Sequence, residues 1–307
     1  MPSSDVVRLA LLQHACGPEP RANLDKTVKM IRDAASRGAQ VVATQELFAS
    51  VYFPQTEDED HFALADPVPG PTSQLMGELA RELGIEIIAS VFEKRAPGLF
   101  HNTCIMIDAG GQMVGRYRKM HVPDDPRFYE KFYFTPGDAC NNTGGQLDSA
   151  GWQICRARCV TVGLLICWDQ WFPEAARLNA LRGAQILFYP SAIGWISEDP
   201  PAARGPQRRA WQTVQQAHAI TNGVFVSAIN RVGTEGDIAF WGRSFVVDPF
   251  GEVIAEADEH SEQVLIADCD LSRIDAARQS WPFLRDRRID AYADLTQRYV
   301  GSEHRAR

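Results

Sequence analysis

Hydrophobic positions along the chain follow two alternating patterns, one typical of strands and one typical of helices. Short, nearly continuous apolar runs predict buried strands at residues 6–13, 40–46, 86–93, 160–167, 185–189, 224–230 and 263–268. Apolar residues spaced three or four positions apart predict helices at residues 23–37, 71–83, 173–182, about 207–221, and 271–278.

The order of these elements favours a single α/β domain over residues 1–280. Helices that alternate with apolar strands indicate sheets covered by helices. Two predicted hairpins, over residues 104–117 and 244–257, exclude a purely parallel sheet, so we expect mixed sheets. Residues 52–60 and 196–206 lack periodicity, and the second segment holds three prolines, so both are predicted to be loops near a surface or a site.

Composition narrows the class of protein further. A chain of 307 residues that is 45% hydrophobic can bury a sizeable core, and its net charge of -8 argues against nucleic acid or an anionic membrane as the main partner. The seven cysteines include no Cys-x-x-Cys pair, and glycine-rich nucleotide loops and His-Glu-x-x-His are absent from the sequence. We therefore expect no metal, no cofactor and no disulfide framework. We read no signal peptide and expect a cytoplasmic protein.

Cys167 stands at the junction between the apolar run 160–166 and a predicted helix that begins at Pro173. Such a strand–turn–helix junction aims backbone N–H groups and a helix N-terminus at the exposed side chain, which stabilises a thiolate or a developing oxyanion. The alternative is a buried cysteine that acts as a small hydrophobic residue. The junction alone leaves both interpretations open.

Two other reactive side chains follow predicted strands in the same way. Glu46 closes the strand at 40–46, and Lys119 follows the first hairpin. Strand ends are where α/β proteins usually place ligands and catalysis. A carboxylate, an amine and a thiol meeting there can act as general base, oxyanion stabiliser or proton donor, and nucleophile. Taken singly, Glu46 and Lys119 could each be solvated surface residues.

Residues 44–48, 118–123 and 166–177 resemble, in this order, the signature of the nitrilase (carbon–nitrogen hydrolase) superfamily. The resemblance covers almost the whole chain. It implies a four-layer αββα sandwich and a Glu-Lys-Cys triad, here Glu46, Lys119 and Cys167. It also implies that Glu130 is a second glutamate that orients the lysine or the substrate amide. The alternative for Glu130 is a surface ion pair.

Residues 119–126, 132–138, 167–174 and 188–194 resemble the N-carbamoylputrescine amidase branch of that superfamily. The resemblance implies hydrolysis of a ureido group to an amine, carbon dioxide and ammonia in polyamine synthesis. It also implies a homodimer or larger homo-oligomer, and we expect the charged, aromatic tail at 281–307 to pack on a partner subunit. Residues 139–152 depart from the pattern, because this polar, glycine-rich segment is longer than expected.

A putrescine-like substrate ends in an ammonium group, so its pocket must be acidic or aromatic. The candidates are Asp124, Asp125, Trp168 and Trp195, although a turn and a core position would explain them equally well. The same triad could serve a β-ureidopropionase, an N-carbamoyl amino acid hydrolase or an ω-amidase. Those substrates carry a carboxylate and would require arginine or lysine in the pocket. A non-catalytic binding or scaffolding member of the superfamily is a further alternative.

Overall fold

The structure is a computed structural model and describes residues 5–139, 151, 152 and 154–301. The strands of this part, in chain order, are β1 (Val6–Gln13), β2 (Val41–Thr44), β3 (Glu86–Ala96), β4 (Leu99–Ile107), β5 (Met113–Arg118), β6 (Ile154–Arg156), β7 (Thr161–Leu164), β8 (Ile186–Pro190), β9 (Gly194–Ile196), β10 (Phe225–Ile229), β11 (Val232–Glu235), β12 (Ile238–Trp241), β13 (Phe245–Val247), β14 (Val253–Glu256) and β15 (Gln263–Asp270). The α-helices are α1 (Pro20–Ser36), α2 (Pro71–Leu83), α3 (Glu130–Tyr133), α4 (Pro173–Leu181), α5 (Pro201–Asn222) and α6 (Ser272–Ser280). Short 3₁₀ helices lie at Phe53–Gln55, Glu59–Leu64, Cys167–Trp171, Ile289–Ala291 and Ala293–Thr296.

Two six-stranded mixed sheets form the body of the protein. The first has the spatial order β15-β1-β2-β3-β4-β5, in which β1, β2 and β3 are parallel and the other pairings are antiparallel. The second has the order β14-β13-β10-β8-β7-β6, in which β7, β8 and β10 are parallel. The prediction of an α/β fold with mixed sheets is therefore confirmed.

Alternation along β1 shows how the first sheet is buried on both faces. Leu9 and Leu11 belong to a core cluster that also contains residues of the second sheet, such as Val162 and Phe188. The intervening residues Ala10 and Leu12 belong to another cluster, which includes side chains from α1 and α2. Because successive strand side chains point to opposite faces, one face of the sheet meets the second sheet and the other meets helices. These contacts are those that the expected αββα layering would give.

A small third sheet, with the order β11-β12-β9, was not predicted from the sequence. Its strands are only three or four residues long, so their alternation is too brief to stand out. One signal was available: Gly236-Asp237 separates β11 from β12, and a Gly-Asp pair between apolar segments is typical of a two-residue hairpin turn. This sheet matters for function because β9 and β12 contribute walls of the cavity that Cys167 also lines.

The prediction of a loop at residues 196–206 is wrong at its C-terminal end, because α5 begins at Pro201 rather than near residue 207. Pro201 stands in the first turn, where its missing N–H costs nothing. Pro206 lies inside the helix and removes one helical hydrogen bond. The helix continues through it because Trp211, Gln215 and His218 are buried against the rest of the protein. The predicted strand at 160–167 is shorter in the structure and ends at Leu164.

Two further features are the segment at residues 139–152, which departs from the pattern of the superfamily branch, and the chain after α6. The segment 139–152 lies almost wholly outside the described residues, so its greater length stays a prediction from the sequence. After α6 the chain continues in short 3₁₀ turns with exposed apolar side chains, among them Ile289, Leu295 and Tyr299. Within the described ranges, none of the helices combines the length and the apolar character needed to cross a membrane.

Candidate active site

Lys119 lies between two carboxylates in the interior of the protein. Its Nζ donates to Glu46 Oε1 at 2.9 Å and to Glu130 Oε2 at 2.7 Å, and all three side chains are buried. Burial alone would lower the pKa of Lys119, but the charges of Glu130 and Glu46 outweigh it and raise that pKa above its ordinary value. The amine is therefore an ammonium at every physiological pH. The surface alternative that the sequence left open for Glu46, Lys119 and Glu130 is excluded by their burial.

Glu46 keeps one carboxylate oxygen without a hydrogen bond to the described residues. Its Oε1 accepts from Lys119 and from Asn102 Nδ2, the latter at 2.7 Å. Its Oε2 is buried and has no hydrogen bond partner among the described residues. A buried carboxylate oxygen without a partner is costly in a folded protein unless something else uses it. This oxygen is thus available to take a proton from a neighbouring group or from substrate.

Glu130 begins the short helix α3 and accepts a second hydrogen bond from a tyrosine. Tyr52 OH donates to Glu130 Oε1 at 2.7 Å, and Tyr52 is itself buried. Burial raises the pKa of Glu130 to about 7, the charge of Lys119 opposes that rise, and Glu46 adds to it. Tyr52 was not singled out from the sequence, although it begins the segment 52–60 that was predicted to lie near a site.

Cys167 begins a 3₁₀ turn three residues after the end of β7 and has a positive φ of 39°. Such a value is rare for a residue with a side chain and marks a sharp turn held by its surroundings. The residue is 6% exposed. Burial and then the charge of Glu46 raise the pKa of the Cys167 thiol well above its ordinary value, while Lys119 and a backbone hydrogen bond from Ala192 lower it. The resting group is a thiol that needs a base.

Asp169 ties the cysteine turn to the segment that carries the lysine. Its Oδ2 accepts from Ile166 N at 2.9 Å and from Tyr117 OH at 2.8 Å, and its Oδ1 accepts from His121 N at 3.1 Å and contacts His121 Nδ1 at 2.7 Å. Ile166 precedes the cysteine, whereas Tyr117 and His121 flank Lys119 by two residues. One buried carboxylate therefore fixes the relative position of the two strand ends.

A cavity of about 410 Å³ opens above Cys167 and Glu130. Most of its walls are apolar or aromatic, with Trp168, Trp171 and Trp241 among them. Its acidic side chains besides Glu130 are Asp125 and Asp199. Lysine, arginine and histidine are absent from the described residues that line it.

The four residues predicted to bind substrate divide evenly. Asp125 and Trp168 line the cavity, whereas Asp124, an exposed residue that precedes the turn at 125–128, and Trp195 are not among its lining residues. Trp195 packs against Trp241 with ring centroids 5.3 Å apart and donates from Nε1 to the carbonyl of Arg204 at 3.1 Å. The lining of the cavity therefore includes two of the four candidates, and substrate binding by any of the four stays a prediction.

Asp199 is a lining residue that the sequence analysis missed. Its Oδ2 accepts from Ile196 N at 3.0 Å, and its Oδ1 accepts from Gln207 Nε2 at 3.3 Å. The segment was predicted to be a loop near a site, but nothing in the sequence distinguished Asp199 from its neighbours. Within the described ranges, groups of three or more His, Cys, Asp and Glu side chains that could hold a metal ion are absent.

Comparisons with known proteins agree with this architecture. A family model described as carbon-nitrogen hydrolase matches residues 8–279. The chain belongs to the carbon–nitrogen hydrolase family, as the resemblance of its motifs implied.

Particular relatives cover nearly the full length of the chain. An N-carbamoylputrescine amidase of Arabidopsis thaliana is 42% identical over 298 residues, which cover 94% of this chain and 95% of the relative. A citrullinase of Francisella tularensis is 37% identical over 95% of this chain and 99% of its own length. A crystal structure of a carbon-nitrogen hydrolase from Helicobacter pylori G27 superposes with a TM-score of 0.90, at 42% identity, over 96% of this chain and all (100%) of that one.

Proposed function

We propose that this protein hydrolyses N-carbamoylputrescine to putrescine, carbon dioxide and ammonia, a reaction of polyamine biosynthesis. The observation that carries the proposal is that Cys167 lines a cavity whose charged lining residues are all acidic, while the buried Lys119–Glu46 ion pair lies close enough to shift the pKa of its thiol. The similarity to N-carbamoylputrescine amidases supports the same substrate class. We further propose that it acts in the cytoplasm, since the described cysteines are all free thiols.

In the first half of the proposed reaction, Glu46 takes the proton of the Cys167 thiol. Its free Oε2 is the acceptor, and the raised pKa of the thiol explains why a base is required. The sulfur attacks the ureido carbon, and the C=O electron pair moves onto oxygen. Lys119 and the backbone N–H of Trp168 stabilise this oxyanion. The tetrahedral intermediate then expels the terminal nitrogen, which leaves as ammonia after Glu46 gives it the proton taken from the thiol, so that Glu46 is ionised again.

In the second half, water hydrolyses the carbamoyl-enzyme thioester. Glu46 takes a proton from the water as its oxygen attacks the carbonyl carbon, and the C–S bond breaks to return the thiol. The product is a carbamic acid, which loses carbon dioxide to leave putrescine. Glu130 holds Lys119 through both halves by its hydrogen bond to Nζ. The sum of the steps consumes one water and forms one ammonia and one carbon dioxide.

The charges of the cavity favour an ammonium at the far end of the substrate. Asp125 and Asp199 attract a cation, and no basic residue among the described lining residues would pair with a carboxylate. Substrates of β-ureidopropionases, N-carbamoyl amino acid hydrolases and ω-amidases end in a carboxylate, which this lining would repel. The aromatic walls supply faces on which an alkylammonium chain can pack.

The test is ammonia release from a panel of ureido and amide compounds. N-carbamoylputrescine, citrulline, N-carbamoyl-β-alanine and a short ω-amide differ in the charge of the end that enters the acidic part of the cavity. We expect the highest kcat/KM for N-carbamoylputrescine. Preference for N-carbamoyl-β-alanine would contradict the proposed substrate, although it would leave the chemistry intact.

Cys167→Ser and Cys167→Ala are the controls for the chemistry. Both are expected to abolish ammonia release while circular dichroism and the denaturation midpoint stay close to those of the wild-type protein, because the thiol is small and makes few contacts. Normal turnover by either variant would rule out the cysteine mechanism. If the wild-type protein hydrolyses none of the compounds, a non-catalytic binding role becomes the better interpretation.

A further inference from the structure

A fully buried ion pair lies behind the candidate active site and is not part of the proposed reaction. Arg231 follows β10 and is 0% exposed, and Glu235, which ends β11, is 7% exposed. Arg231 Nη1 donates to both Glu235 oxygens, at 2.7 and 3.0 Å. Stability alone does not explain a buried arginine of this kind, because the desolvation of a buried ion pair costs about as much free energy as the attraction between its charges provides.

The guanidinium of Arg231 also contacts the backbone around Glu46. Arg231 Nη2 donates to the carbonyl of Glu46 at 2.7 Å and to that of Leu47 at 3.2 Å. Leu47 has a positive φ of 49°, an unfavourable conformation for leucine that persists only when its surroundings hold it. The planar guanidinium is suited to this task because it can meet several acceptors in fixed directions at once.

Glu235, the other member of the pair, is linked to Glu130 through Tyr52. Glu235 Oε2 accepts from the backbone N–H of Tyr52 at 2.5 Å, and the hydroxyl of the same tyrosine donates to Glu130 at 2.7 Å. The pair therefore touches the backbone of one carboxylate residue directly and the other carboxylate through one tyrosine. These are the two glutamates that hold Lys119 between them.

We infer that Arg231 and Glu235 are positioning residues that hold Glu46 and Glu130 at a fixed separation on either side of Lys119. This inference rests on the proposed function, since it gives both glutamates a part in the reaction. A displacement of about 1 Å in a reacting group can cost roughly 100-fold in rate, so the pair acts on kcat while substrate binding is left largely unchanged.

Glu235→Gln is the decisive variant. One oxygen becomes an NH₂ group, which faces Arg231 in either orientation, also faces the N–H of Tyr52 in one of them, and cannot accept a hydrogen bond from either. Asp248→Asn is the matched control, because Asp248 is also buried, pairs with Arg273, and accepts backbone hydrogen bonds from Phe250 and Glu252. The β13–β14 hairpin that contains Asp248 contributes nothing to the described lining of the cavity. Both variants are expected to unfold at lower denaturant concentration than the wild-type protein.

Only Glu235→Gln should lower kcat, by about 100-fold with KM changed by less than about threefold. The rate of iodoacetamide alkylation at Cys167, located by peptide mass spectrometry, should fall in the same variant and not in the control. If Glu235→Gln and Asp248→Asn have the same kcat and the same alkylation rate, the pair is only structural and the inference is wrong.

Arg231→Lys is a second, independent test of the positioning role, and it is the deciding variant if Glu235→Gln does not fold. A lysine keeps the charge but cannot reach Glu235 and both carbonyls together, so kcat should fall while KM is kept. Unchanged kcat in Arg231→Lys would overturn the inference. Absence of turnover by the wild-type protein on every compound would instead refute the proposed function, and the alkylation rates would still test the positioning role.

Discussion

At the scale of single residues, burial changes what each charged group can do. Glu46 and Glu130 both contact Lys119, yet only Glu130 accepts from a tyrosine and only Glu46 retains an unpartnered oxygen. The two carboxylates are therefore chemically distinct despite their shared partner. Neither the sequence motif nor the burial of each residue alone reveals this division; it depends on which neighbours complete each carboxylate.

The activity of the wild-type protein should fall as the pH decreases through about 7. Burial raises the pKa of Glu130 to about 7, and its ionised form is the one that accepts from both Lys119 and Tyr52. Tyr52→Phe removes a hydrogen bond that lowers the pKa of Glu130, so the acid limb of the kcat/KM profile should move to higher pH. A limb that stays in place in Tyr52→Phe would show that another group controls it.

The same shift has a consequence for stability, with the opposite dependence on pH. The pKa of Glu130 is about 7 in the folded protein against an ordinary value of 4.5, so the folded state holds the proton between these values. Its contribution to the free energy of unfolding is full below about 4.5 and is lost as the pH rises to about 7. Denaturant titrations of the wild-type protein and Glu130→Gln should show their difference shrinking across this window. A constant difference would contradict the raised pKa.

Two adjacent aspartates provide a matched test of the acidic cavity. Asp125 lines the cavity and Asp124 does not, although both are exposed and adjacent in the chain. Asp125→Asn should raise KM for N-carbamoylputrescine by about three- to tenfold, a modest effect because solvent screens an exposed carboxylate. Asp124→Asn makes the same change in net charge and should leave KM unaltered. Equal effects of the two substitutions would place the ammonium elsewhere.

At the scale of elements, the long strands and helices could be predicted from the sequence because their patterns extend over two turns or several alternations. β1 and α2 have the predicted bounds. The three-stranded sheet and the beginning of α5 could not be predicted in this way. Their strands are too short, and Pro206 is tolerated only because the packing of α5 outweighs a lost hydrogen bond.

The candidate site shows the same division between local and long-range information. Glu46, Lys119 and Cys167 could be predicted because each follows a strand and lies in a recognisable motif. Arg231 also follows a strand, at the end of the predicted segment 224–230, and this placement was a usable signal. The contacts of Tyr52 with Glu130 and Glu235 join segments far apart in the chain, and no local pattern encodes them. The hydrogen bonds of Asp199 are local, but the cavity that it lines is built from distant segments.

Asp169 shows how one side chain can join two elements, and its removal should weaken both. In Asp169→Asn an NH₂ group must face Ile166 N–H and Tyr117 OH, or His121, and a buried hydrogen bond is lost in either orientation. The free energy of unfolding should fall by about 1–3 kcal/mol. The kcat for ammonia release should also fall, because the cysteine turn and the lysine segment are no longer fixed to each other. Denaturant unfolding that matches the wild-type protein would show that the asparagine satisfies every partner.

At the scale of the whole molecule, the tail after α6 carries most of the exposed large apolar side chains among the described residues. Ile289 is 75% exposed, Leu295 is 64% exposed and Tyr299 is 83% exposed, in a segment made only of short turns. Exposed apolar side chains grouped in this way mark surfaces that contact other proteins. We propose that residues 281–301 pack on a second copy of the chain, which agrees with the expectation of a homodimer or larger assembly.

Replacing these three residues together by serine should reduce the mass of the assembly measured by light scattering at a fixed protein concentration. The substitutions leave the described core unchanged, because the three side chains contribute nothing to its clusters. The denaturation midpoint of the dissociated variant should become independent of protein concentration, whereas that of the wild-type protein should rise with concentration. A triple serine substitution at the exposed residues Arg285, Arg288 and Arg298 of the same tail controls for general effects of substitution there. An unchanged mass in the apolar variant would mean that the tail does not hold the subunits together, and the oligomer would have to form through another surface.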